Sequence, residues 1–256
     1  MAHPHNLMDI TQPEAEALLR RTRTVVIPTG SVEQHGPHMP CGTDTYVATA
    51  IGEGVAQGLD ALLVPFAPMG VTPLHMGFAG SITLRPGTFV RIMRDIAGSL
   101  SRHGAERFVI LNWHEGNIPS IGVAANEIHH TLKVQTVVVQ ACYVADELFG
   151  AECGGLTHGG ELEALPLLMY APGLLRLDRA TNPSPAPQGG TIDAVRRRRS
   201  VAPILTDIRQ IAPTGWYGSP QRATPERARR MMHGVVERIV ADVRDVWKAL
   251  NEQKGG

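Results

Sequence analysis

What this sequence lacks narrows the field before any motif is read. There are three cysteines in 256 residues, Cys41, Cys142 and Cys153. An odd number cannot all pair within one chain, and their spacing matches no zinc-finger pattern. A reducing, cytoplasmic setting is the simplest expectation. No run of about 18 apolar residues occurs, which argues against a membrane span. The start "MAHPHNLMDI" lacks the basic segment and apolar core of a secretion signal. Neither sign of charge is in excess, with 24 Lys plus Arg against 24 Asp plus Glu. No net field therefore recruits nucleic acid or an anionic membrane, and the expected partner is a small molecule. Common catalytic signatures are missing too: no G-x-S-x-G elbow, no H-E-x-x-H helix and no P-loop. The glycines of "GEGVAQG" (52–58) are wrongly spaced for a dinucleotide fingerprint.

What is present is an ordinary globular composition, 43% hydrophobic, enough for a real core. Short β-branched runs alternate with helical stretches. The segments 24–30, 61–67, 107–112 and 134–140 read as buried strands, being short, apolar and bounded by turn residues. Between them, 44–59, 87–104 and 117–132 carry helical spacing. In the middle one, Phe89, Ile92, Met93, Ile96 and Leu100 form an apolar stripe that Gly104 can stop. This alternation predicts an α/β fold, a mostly parallel sheet with helices on both faces. Near the end, Thr224 can cap a helix, with Pro225 and Glu226 in its first turn. Residues 172–222, rich in Pro and Gly and containing "RRRRS" at 196–200, read as an excursion over the surface. The four arginines there read as a solvated or subunit-facing run rather than a phosphate site. With no internal repeat and no clean linker, residues 1–256 are expected to form a single domain.

The chemistry gathers just beyond two of those strands. After the first comes "GSVEQHGPHMPCGTD", which places Glu33, His35, His38 and Asp44 in one loop; after the third comes "NWHEGN" with His114 and Glu115. Ligands in open α/β sheets bind at the carboxyl ends of strands, so neighbouring strands would turn both loops onto one crevice. Glu33 and His35, two apart in an extended loop, point to opposite sides and suit two ions better than one. Asp44 is then free to bridge with its two oxygens. Imidazole with carboxylate favours Zn²⁺ or Mn²⁺ over Ca²⁺ or Mg²⁺. A pair of such ions about 3.5–4 Å apart acidifies a shared water and polarises a carbonyl. A bland reading stands beside this one: Asp44 caps the following helix, and His35 and His38 are surface histidines held by hydrogen bonds. A third patch, "THGGELE", sets His158 ahead of a helical run bearing Glu161 and Glu163. His158 is placed to shuttle a proton, or else the patch is helix capping and exposed carboxylates. Cys41, near Asp44, reads as a small packed thiol rather than a nucleophile.

These motifs together resemble the creatininase family of metal-dependent amidohydrolases. "GSVEQHGPHMPCGTD" is similar to that family's opening signature, and "HMGFAGS" to its H-x-x-F-P-G-T segment. "NWHEGN" is similar to the N-G-H-x-x-N loop and "HGGELEA" to the H-x-G-x-x-E-T segment; about residues 8 to 245 are covered. The resemblance implies a three-layer α/β/α sandwich, commonly hexameric, holding two divalent ions, zinc or manganese with iron as an option. By the same resemblance Glu33 and His114 hold one ion, His35 the other and Asp44 bridges. His158 is the substrate-binding and proton-transferring histidine, and Glu163 a further ligand or a support to one. There are departures. Creatinine-cleaving members carry a ligand glutamate where this chain has Gly116, while Glu115 stands one position earlier, as base or substrate contact. Glu161 is the other candidate for the vacant place. Trp113 replaces a small glycine and becomes a substrate-contact candidate, and the tryptophans expected before the family histidine are missing. The activity implied is hydrolysis of a cyclic or other small amide, with creatinine itself disfavoured. A lactone, a cyclic keto-polyol or a modified peptide is the competing substrate. A metal-binding scaffold without catalysis is the alternative outside enzymology.

Overall fold

The computed structural model describes residues 3–184 and 204–252. Its centre is a parallel sheet of four strands: β1 (Thr24–Thr29), β2 (Leu62–Leu63), β3 (Arg107–Asn112) and β4 (Gln135–Gln140), in the order β2-β1-β3-β4. All of β1 is buried, and so is β3 apart from Arg107. That is why both read as continuous apolar runs rather than alternating ones. Register is in phase along the central pair, from Thr24 beside Arg107 to Thr29 beside Asn112.

Side chains of successive strand residues leave opposite faces, and the sheet sorts them into two cores. On one face Val25, Ile27, Leu62, Phe108 and Ile110 pack with α1 (Gln12–Thr22), α3 (Pro86–Arg102) and α4 (Ile118–Leu132). On the other, Val26, Leu63, Val109 and Leu111 pack with α2 (Thr43–Leu59), α5 (Ala141–Cys153), α6 (Glu161–Tyr170) and α7 (Pro225–Glu252). The result is the three-layer α/β/α sandwich. Helix α3 shows how sequence dictates its place: Phe89, Met93, Ala97 and Leu100 fall on one side and are buried. Each large apolar side chain so buried contributes about 1.5–3 kcal/mol. An aspartate at Val109, in the centre of the sheet, would cancel the gain of several such residues.

The second strand is shorter than its apolar run suggests. Pairing stops at Leu62–Leu63, although the Val64 amide still reaches the Val26 carbonyl at 2.9 Å. Pro65 has no N–H to continue the ladder, and Pro68 follows it. Residues 172–222 also depart from expectation where they are described. They do not merely cross the surface: Ile208, Ala212, Trp216 and Tyr217 are buried, and they bring the chain back over the carboxyl edge of the sheet. The "RRRRS" run at 196–200 lies outside the described residues. At the start of α7 the Arg227 amide reaches Thr224 Oγ1 at 3.3 Å, as the cap required.

The strand order creates the crevice that matters. From β1 the chain enters α2 on one face; from β3 it enters α4 on the other. The loops leaving these neighbouring strands diverge and open a gap at their carboxyl ends, the switch point where α/β sheets bind ligands.

Candidate metal centre

A net of amides ties the two loops together. Asn117 donates to the Gly30 carbonyl at 2.9 Å and accepts from the Val71 amide at 2.8 Å; Asn112 donates to the His114 carbonyl at 2.7 Å. Glycine is needed where these loops touch. A Cβ on Gly116 would lie 2.3 Å from the Val71 carbonyl oxygen and 2.5 Å from His114 Nε2. The loop as it stands has no room for a side chain at that position.

Within this frame Glu33, His35, Asp44, His114 and Glu163 converge and are all buried. Two groups have ligand-type atoms within 4.8 Å of one another and share Asp44: Glu33, Asp44 and His114, and His35, Asp44 and Glu163; a third group joins Glu33 and His35 to His158. Asp44 Oδ1 is 3.2 Å from His35 Nε2 and its Oδ2 is 3.0 Å from His114 Nδ1, so each oxygen faces one of the two groups it shares. Ser31 Oγ donates to Oδ2 at 2.7 Å and steadies the carboxylate.

The imidazoles are oriented from behind. His35 Nδ1 donates to the Glu33 carbonyl at 3.0 Å, turning Nε2 toward Asp44 and Glu163. His114 Nε2 donates to the Val71 carbonyl at 3.2 Å, turning Nδ1 toward Glu33 and Asp44. Fixing one ring nitrogen on a backbone carbonyl while the other faces the carboxylates is how ligand histidines are held. Glu33 is anchored by the Thr72 hydroxyl, and Glu163 Oε2 accepts the Gly159 amide at 2.6 Å. Imidazole and carboxylate donors in two sets that share one aspartate fit a pair of divalent transition ions.

Electrostatics agree with that fit. Burial works against charge on His35, yet Asp44 and Glu163 raise its pKa well above the usual imidazole range. His114 is raised the same way by Glu33 and Asp44, against its own burial. Despite the same burial cost, His114 and His75 hold the Glu33 carboxyl down to about 2. Asp44 lies well below the carboxylate range because His35 and His114 outweigh its burial. The carboxylates that hold protons on His35 and His114 would favour a cation in their place by the same field.

Of the remaining residues singled out in the sequence, His158 points its Nδ1 at Glu33 Oε1, 3.8 Å away, while Nε2 donates to the Gln34 carbonyl at 2.6 Å. Burial and the neighbouring His35 lower its pKa. Glu115 stands on the cleft wall, where Tyr143 donates to it at 2.9 Å, and Trp113 is a buried part of the same wall. Glu161 turns away: it is fully buried, 2.5 Å from Arg227 on α7, and joins none of these groups. The structure thus does not support Glu161 as the residue replacing the family's missing ligand. Only Glu163, half a turn on, faces His35. His35 and His38 are not surface histidines, since both are buried. His38 Nε2 donates to the Gly159 carbonyl at 2.8 Å, and its ring meets Trp216 at a tilt of 56°, the centroids 4.4 Å apart.

Several contributors were not singled out beforehand. His75 sits 3.6 Å from Glu33 and 4.4 Å, ring to ring, from His158, with burial pushing its pKa down to about 3. The segment "HMGFAGS" carried that signal. Tyr143 had none, because only tertiary contacts bring it here. Beside the two groups opens a cleft of about 760 Å³, lined also by Pro73, Val90, Arg91, Val123 and Ile208.

Residues 8–243 match the family model described as creatininase, creatinine amidohydrolase. A mycofactocin precursor peptide peptidase of Mycobacterium ulcerans (strain Agy99) is 29% identical over 86% of this chain and 84% of its own length. The creatinine amidohydrolase of Pseudomonas putida is 30% identical over 70% and 76%. A solved manganese form of creatininase superposes with a TM-score of 0.76 at 25% identity, covering 94% of this chain and 98% of that one.

Proposed function

This chain belongs to the creatininase family of hydrolases, and from that premise we propose a binuclear metal-dependent amidohydrolase that cleaves the C–N bond of a cyclic or other small amide. One observation carries the reading: the two oxygens of Asp44 face two separate donor groups. Glu33 and His114 would hold one divalent ion, His35 and Glu163 the other, with Asp44 between them. Zinc or manganese suits these donors, with iron as the further option. Such a pair supplies an acidified water and a polarised carbonyl.

The chain's own groups do the rest. His158 Nδ1, bare because Nε2 is spent on the Gln34 carbonyl, takes a proton from the attacking water and returns it to the leaving nitrogen. Glu115, held by Tyr143, and the Trp113 wall orient the substrate. Creatinine is disfavoured, since Gly116 lies where its hydrolases carry a glutamate. A single domain, assembled as a cytoplasmic hexamer, completes the proposal and is checked by light scattering.

A peptidase acting on a modified peptide is the second reading. It is favoured by the cleft of about 760 Å³, toward the large end of small-molecule sites, and by the mycobacterial relative. Purified protein loaded with zinc or manganese and offered cyclic amides, formamides, lactones and short peptides tests both. Turnover of an amide that chelator abolishes is expected. Lactone-only turnover would replace the amide reading, and a metal-replete but inert protein would leave a binding scaffold.

A further inference from the structure

His75 belongs to none of the three donor groups, yet its ring lies beside Glu33 and His158 on the cleft wall. Its protonation pattern follows from the residue behind it. The Gln34 amide is fixed in direction by two contacts: its oxygen accepts from the Gly36 amide at 3.1 Å, and its nitrogen donates to the Gly215 carbonyl at 2.6 Å. The second N–H of that nitrogen meets His75 Nδ1 at 3.1 Å. An amide nitrogen only donates, so Nδ1 must accept, and a neutral His75 then carries its proton on Nε2. Glu33 Oε1, the carboxylate oxygen facing Nε2, is 3.6 Å away, beyond a hydrogen bond.

His158 is fixed the other way round, with Nε2 protonated toward the Gln34 carbonyl and Nδ1 bare toward the centre. One residue, Gln34, therefore sets both rings, one through its side chain and one through its backbone. Two imidazoles 4.4 Å apart present a lone pair and an N–H side by side. Addition of water to a carbonyl needs that combination: a base for the water's proton, and a donor for the oxygen that gains charge.

We propose that His75 is a second catalytic histidine, a neutral Nε2–H donor whose hydrogen bond goes to the substrate's carbonyl oxygen as negative charge develops there. The assignment rests on the hydrolase reading above. In the reaction the water O–H breaks toward His158 Nδ1 and the new C–O bond forms. The carbonyl pair moves onto oxygen beside His75 Nε2–H, which keeps its proton throughout.

Two measurements on the zinc-loaded protein test this. In long-range ¹H–¹⁵N spectra of ¹⁵N-histidine protein, the signals lost in His75→Gln should show a protonated Nε2 and a bare Nδ1. The opposite tautomer, or an imidazolium, overturns the proposal whether or not metal has bound. On the best amide from the panel, His75→Phe should lower kcat by about 10²–10³, with KM little changed and bound zinc undiminished. His75→Gln places an N–H near the lost Nε2 and should recover most of the rate. Wild-type kcat in His75→Phe, or a loss explained by missing zinc, overturns it. A protein that binds no zinc sinks the metal reading instead, and the spectrum still decides the donor.

Discussion

At the scale of single residues, Asp44 is the side chain on which the site turns. Asp44→Ala removes the group common to both donor sets and should leave less than one tightly bound ion per chain and no turnover. Metal analysis after dialysis reads the first effect, and a fully loaded, active variant would refute the bridging role. Glu163→Gln is narrower. It weakens only the set containing His35, so metal content should fall from about two per chain toward one. Affinity should also follow pH with a definite sign. The nitrogens that would face a metal belong to His35 and His114, whose pKa values are raised, against burial, by the carboxylates around them. Those protons must leave before an ion binds, so zinc affinity should climb as pH rises through their titration. Competition with a chelating dye at about pH 6 and about pH 8 would show it, and a flat or inverted profile contradicts the assignment. These residues were legible early because Glu33, His35 and Asp44 lie within one loop and His114 sits just past a strand. His75 lies in "HMGFAGS", which carried a signal, but its part in the site was not legible there, because it depends on Gln34, whose amide direction is set by a carbonyl 181 positions away.

At the scale of elements, the strands and the three interior helices were legible because a buried parallel strand and an amphipathic helix leave distinct periodic patterns. Helix α5 was not, since it follows β4 with no capping residue between them and its apolar positions form no clear stripe. Nor was the division of labour inside "GGELE". Two carboxylates two residues apart on α6 point apart, Glu163 toward His35 and Glu161 toward Arg227 on α7. Sequence gives both equal standing, and only the packing of α7 against α6 separates them. The Glu161–Arg227 pair should therefore matter for stability rather than for metal. Truncating one member of a buried pair costs about 3–5 kcal/mol. Because Arg227 is 26% exposed, Glu161→Gln should fall at or below the lower end, with metal content kept near two. Denaturant melts and metal analysis on the same sample distinguish this from a ligand role. The loop ahead of α6 is equally particular. Gly159 has φ of +72° and its position leaves a Cβ 3.1 Å from Trp216 Cβ, so Gly159→Ala should strain the turn that carries His158 by about 1–3 kcal/mol. Its kcat should fall more than its metal content.

At the scale of the whole molecule, the centre is assembled from parts distant in sequence: the loops after β1 and β3, the segment around His75, the start of α6 and the returning stretch near Trp216. Hydrogen bonds already join several of them, Asn117 to Gly30 and His38 to Gly159 among them, and a pair of metal ions at their junction would tie them further. Binding to the folded state alone stabilises by RT ln(1 + [L]/Kd), about 2.7 kcal/mol when free metal is about 100 times Kd. For a chain of this size each kcal/mol shifts Tm by about 2–4 °C, so saturating zinc should raise Tm by roughly 5–11 °C per site over chelator-treated protein. Asp44→Ala should lose the shift, because both donor sets lose their common member. Glu161→Gln should begin from a lower Tm and keep the shift, because its ion pair lies outside the centre. The comparison separates what the fold contributes from what the metal contributes. If zinc moved the melting of Asp44→Ala as far as that of the parent, the ion would be binding elsewhere, and the two-set geometry around Asp44 would no longer explain it.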